Sequence, residues 1–91
     1  MQALYLMGQK KLELENRNMV KLNYYLVEEQ KLKGKLLYGI QVAQEKPNHI
    51  VVEYTEPLSY SKEYVLNILH RLINHNVLVS TMLETVDDLV G

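Results

Sequence analysis

Cysteine, phenylalanine and tryptophan are all missing from this 91-residue chain. Without cysteine there can be no disulfide framework, thiolate metal site, cysteine nucleophile or thiol redox switch. Glycine and proline are sparse, at four and two, and no internal repeat or low-complexity segment occurs. Charge is nearly balanced: ten basic and eleven acidic residues leave a formal net charge of −1. That gives neither a broad basic footprint for phosphate backbones nor an acidic excess that would imitate them. No stretch approaches the ~20 apolar residues of a membrane span. The opening "MQALYLMGQKK" places its lysines after its apolar run and has no small-residue cleavage site, so it does not read as a signal peptide. These absences predict a soluble, cytoplasmic protein with no cofactor and no membrane contact.

What is present suits one small globular domain. Apolar residues make up 47% and charged residues 23%, and a chain of this length buries roughly 60–65% of its unfolded surface. Seven tyrosines are the only aromatic residues. Tyrosine fits positions with a buried ring and a wet hydroxyl, as in a thin core.

Periodicity organises the chain from Lys21 onward. Leu22, Tyr24 and Leu26 alternate with Asn23, Tyr25 and Val27. Leu36, Tyr38, Ile40 and Val42 alternate with Leu37, Gly39, Gln41 and Ala43, and Ile50, Val52 and Tyr54 with Val51, Glu53 and Thr55. The first-named set of each strand is predicted to be buried, which gives a three-stranded antiparallel meander. "QKLKGK" and "QEKPN" are the connecting turns, with Gly34 at a position needing positive φ and Lys46-Pro47-Asn48 as ordinary turn chemistry.

After Pro57 the period becomes helical. Val65, Ile68, Leu69, Leu72 and Ile73 form a stripe behind the N-cap Ser61, and Asn76 is a left-handed stop. A second helix is predicted from "STMLETVDDLVG", with Thr81 and Glu84 in capping-box spacing and Leu83, Val86 and Val90 along one side. The fold class is therefore α+β, ordered β-β-β-α-α, with both helices on one face of the meander. Residues 21–91 form the domain. Residues 1–20 read as an arm, either a short helix or an additional edge strand, because Gly8 interrupts good helix formers while "KLELE" alternates.

Reactive constellations are few. His70 and His75 lie about 140° apart around a helix and do not face a common ion, and His49 is remote. Glu28–Glu29 and Asp87–Asp88 are adjacent pairs whose side chains diverge. Ser59, Ser61 and Ser80 sit at helix starts, where capping accounts for them, and there is no nucleophile elbow, Walker loop or dinucleotide glycine pattern. No catalytic, cofactor or metal residue is assigned, and an enzyme is not expected.

Tyr38-Gly39-Ile40, the helix from Ser61, and Val86-Asp87-Asp88-Leu89 together resemble a family of small uncharacterised proteins from clostridia and related Firmicutes. The resemblance spans about residues 22–91. It implies a bacterial cytosolic setting and brings no activity or site residue.

Two surfaces remain as candidates. The outer set Tyr25, Val27, Leu37, Gly39 and Val51 is too apolar to stand wholly in water. It is the expected interaction surface for a protein partner, of the kind a regulatory adaptor or inhibitor uses, including one from a phage or mobile element. Either the arm folds over it through Leu4, Leu6, Leu12 and Leu14, or a second copy does, with a homodimer favoured. The alternative is a nucleic-acid contact through Lys31, Lys33 and Lys35, with Tyr24, Tyr25 or Tyr54 for stacking. A solvated hairpin tip explains those lysines more simply.

Overall fold

The computed structural model describes residues 2–31 and 34–91. Four strands, β1 (Gln2–Glu13), β2 (Met19–Gln30), β3 (Leu36–Glu45) and β4 (Ile50–Tyr54), form one antiparallel sheet in sequential order. Helix α1 (Lys62–Asn74), a 3₁₀ turn (Val79–Thr81) and helix α2 (Met82–Val90) follow. The α+β architecture with both helices C-terminal is as expected. The sheet has four strands, not three.

The additional strand is the N-terminal arm. Its pairing with β2 slips between Leu6 and Gly8, so the apolar alternation changes phase half-way along. Leu4 and Leu6 pair with Val27 and Tyr25, whereas Gly8 and Leu12 pair with Tyr24 and Val20 on the opposite face. A bulge of this kind adds one residue and turns the side chains beyond it over. Gly8 faces α1: a Cβ there would lie 2.9 Å from Cδ1 at the end of the Ile73 side chain, which would have to shift. The arm thus lengthens the sheet and does not cover it.

The connections follow their local chemistry. Arg17 adopts φ 65° between Asn16 and Asn18, and the Asn18 N–H donates to Asn16 Oδ1 at 3.1 Å. Gly34 takes φ 75°, and the Lys31 N–H donates to the Lys35 carbonyl across the loop. The Lys46 N–H donates to the His49 carbonyl around Pro47 and Asn48.

The core lies between the sheet and the helices. Leu22, Tyr24, Leu26, Tyr38, Ile40 and Val42 meet Val65, Ile68, Leu69, Leu72, Met82 and Val86. Ser61 caps α1, accepting the Tyr64 N–H at 3.2 Å, and Asn76 stops it at φ 53°. The capping box of α2 is not made: Thr81 accepts no side-chain cap bond, and its hydroxyl turns back to the Leu78 carbonyl. The buried side of α2 is also phased differently from the prediction. Met82 and Val86 are buried with Leu89 packed beside them, while Leu83 and Val90 are exposed. Gln44, buried on the helix side, accepts the Val79 N–H at 3.2 Å and so ties the 3₁₀ turn to β3.

Candidate interaction face

The register places side chains in rows across the face away from the helices. One row is Leu6, Tyr25, Gln41 and Tyr54; the next is Leu4, Val27 and Gly39. Glu29 and Leu37 continue the sheet beyond them, opposite Gln2. On the other side lie Gln9, Asn23, Ala43 and Val52, then Lys11, Lys21, Glu45 and Ile50. Neither helix crosses this face, yet Val27 and Ala43 are buried by their neighbours alone. Around them Leu4 is 47% exposed, Leu6 49%, Val52 46% and Tyr54 62%.

A shallow cavity of about 160 Å³ opens on the same face, lined by Gln2, Val27, Leu37, Gly39, Tyr54 and Thr55 among others. Gly39 is part of its lining. After β4 the chain keeps to the edge of β3: the Thr55 N–H donates to the Ile40 carbonyl, and the Ile40 N–H donates to Thr55 Oγ1 at 3.0 Å. A Cβ on residue 39 would stand 2.9 Å from that hydroxyl oxygen. The close neighbour of Gly39 is therefore the chain's own residue 55.

A polar ladder bounds the apolar region. Gln9 Nε2 donates to Asn23 Oδ1 at 2.8 Å, Asn23 Nδ2 donates to Glu45 Oε2 at 2.6 Å, and Lys21 Nζ lies 3.9 Å from the same carboxylate. Asn23 is buried but fully partnered, consistent with the cost of an unmade buried hydrogen bond.

Four of the five predicted surface residues, Tyr25, Val27, Leu37 and Gly39, share this face. Val51 does not. It pairs with Gln44 on the helix side and lines a cleft with Leu78 and Val79. The expected burial of Ile50, Val52 and Tyr54 is likewise inverted, for they stand on the open face and are exposed. The cause is the β3–β4 connection. Residues 46–49 form a four-residue loop that sets Glu45 opposite Ile50, so even-numbered residues of β3 share a face with odd-numbered residues of β4. The β2–β3 connection instead pairs Gln30 with Leu36 and keeps like parity. Loop length was the available signal for Val52 and Tyr54. Leu4 and Leu6 were hidden by the bulge.

The lysine-bearing hairpin is less persuasive as a site. Lys31 lies 3.6 Å from a Glu29 carboxylate oxygen, and Lys35 sits 5.9 Å from the Tyr60 ring centroid; Lys33 falls outside the described residues. Tyr24, a proposed stacking residue, is fully buried. Nearby, the Tyr5 hydroxyl donates to Glu28 Oε1, whose charge raises the tyrosine pKa above its ordinary value. His49, His70 and His75 are exposed, and no group of three metal-ligating side chains converges among the described residues. No helix among the described residues is long and apolar enough to cross a membrane.

The fold and this face define a two-layer α+β domain with a half-uncovered sheet. The chain belongs to DUF6514, a family of unknown function, whose model matches residues 3–91 and so takes in β1 as well as the region of the sequence resemblance. No curated protein and no solved structure matches the chain.

Proposed function

We propose that the chain is a non-enzymatic interaction module that binds another protein through the helix-free face of its sheet. One observation carries the reading: a concavity lined by Val27, Leu37, Gly39 and Tyr54 together with Gln2, Glu29, Lys31 and Glu56, beside exposed Leu4, on a face that neither helix crosses. Exposed apolar surface around a concavity is the usual mark of a docking site. The rim is polar on one side, through the Gln9–Asn23–Glu45 ladder, which is the anatomy of an interface core and its border. We place the module in the bacterial cytoplasm as a regulatory adaptor or inhibitor, of host or mobile-element origin. Nucleic-acid binding through Lys31, Lys33 and Lys35 is the weaker reading, because Glu29 sets a carboxylate beside Lys31 and Tyr24 is buried.

Tagged chain captured from bacterial lysate tests this against two variants. The expected result is one stoichiometric protein bound by the natural chain and by Tyr64→Lys, at an exposed position of α1, and lost from Tyr54→Lys. Equal capture by Tyr54→Lys, or recovery of nucleic acid alone, would overturn the reading.

A further inference from the structure

We infer that two copies of the chain associate through the free edge of β1, joining their sheets antiparallel about a two-fold axis beside Tyr5. This goes beyond the face reading and stands on a different observation, the unequal protection of the two sheet edges. At one edge, β4 is only five residues long, lies between Pro47 and Pro57, and runs into residue 55, whose side chain is turned back onto Ile40. Short length, proline and irregularity are the ordinary means by which an edge resists pairing. At the other edge, β1 runs for twelve residues, and no strand among the described residues pairs with its far side. Its second half is protected by Lys10, Lys11 and Glu13 beyond the bulge. Its first half is not. Residues 2–8 carry no charge and no proline, and Leu4, Tyr5, Leu6 and Met7 are 39–49% exposed.

Charge selects the occupant. A two-fold axis perpendicular to the sheet pairs residues that point to the same face. Centred on Tyr5, it sets Leu4 against Leu6 of the second copy twice, both on the helix-free side, and Tyr5 against itself, with no charge opposed to another. Registers centred on Lys10 or Lys11 would set lysine against lysine. The uncharged half of β1 is thus complementary to itself, and it presents nothing that would select a charged strand. Joining the edges also makes the two helix-free faces continuous. The shared strip is short against the ~800 Å² per partner of a standard interface, so the dimer is concentration-dependent and not obligate.

Sedimentation equilibrium on the full chain between about 1 and 300 µM covers the range of a small interface. The expected result is a reversible monomer–dimer equilibrium. Tyr5→Lys, which opposes two like charges, should weaken it by about fivefold. Leu4→Lys should weaken it as well, and the double variant Leu4→Lys/Leu6→Glu should restore it, because each introduced lysine then meets an introduced glutamate. Tyr54→Lys, across the sheet from β1, should leave it unchanged. Circular dichroism confirms that each variant is folded. A monomer throughout would overturn the proposal, as would a dimer indifferent to the β1 variants. A dimer lost in Tyr54→Lys would overturn it too, in favour of pairing face to face.

Discussion

Replacing Tyr24 with phenylalanine removes one oxygen from the centre of the molecule. The Tyr24 ring is fully buried, and its hydroxyl donates to the Val77 carbonyl at 2.9 Å, 53 residues along the chain. That bond fastens the segment after α1 to β2. In Tyr24→Phe the carbonyl keeps its burial and loses its donor, a change that costs about 1–3 kcal/mol. For a domain of this size each kcal/mol corresponds to a shift of roughly 4–8 °C in Tm, so a fall of about 4–24 °C is expected at neutral pH. The alkaline limb supplies a second, sharper signature. Burial pushes the Tyr24 pKa up from 10.0 to about 12, because the neutral hydroxyl is favoured there. A raised folded pKa means that this contribution is complete below pH 10 and is lost as pH rises toward about 12. The stability advantage of the natural chain over Tyr24→Phe should therefore shrink by roughly 1 kcal/mol between pH 9 and pH 11. With no tryptophan to report unfolding, urea titrations followed by far-ultraviolet circular dichroism provide the measurement. Equal stability at neutral pH, or a difference that does not change with pH, would refute the reasoning.

Other substitutions test neighbouring parts of the fold. Leu69→Ala, at a fully buried position against the sheet, should cost about 2–5 kcal/mol by chemical denaturation. Ser61→Ala removes the cap on the Tyr64 N–H and should cost about 0.5–2 kcal/mol, with helix content falling first at that end. A chain shortened to begin at Asn18 would bare the edge of β2 and remove the Gly8 contact with Ile73. It should aggregate or lose cooperative unfolding on heating, and a soluble, equally stable product would show that β1 is dispensable.

How far the sequence disclosed this arrangement depended on how local the determining physics was. The cap at Ser61, the left-handed residues Gly34 and Asn76, and the stripe from Val65 to Leu72 rest on contacts within a few residues, and these were legible. β1 was legible only as one of two alternatives, an edge strand or a short helix, because its bulge at Met7 changes the phase of the alternation. The face of β4 was misread for a related reason. Alternation divides a strand into two sets, but only the register imposed by residues 46–49 says which set meets the helices. Thr81 and Glu84 had the spacing of a capping box, yet the 3₁₀ turn that precedes α2 takes the Thr81 hydroxyl elsewhere. The candidate surface was legible in β2 and β3, where Tyr25, Val27, Leu37 and Gly39 do share a face. It was mistaken in β4, where Val52 and Tyr54 replace Val51. Asn23 gave no local signal, since its partners Gln9 and Glu45 come from two other strands.

Whether the helix-free face is the working surface is most directly tested by a photo-crosslinking residue incorporated at position 54, beside the cavity over Gly39, and separately at exposed position 64 on α1. After illumination in bacterial cells, the face reading predicts a discrete protein adduct from position 54 and none from position 64. An adduct from position 64 alone, or the same products from both positions, would contradict it.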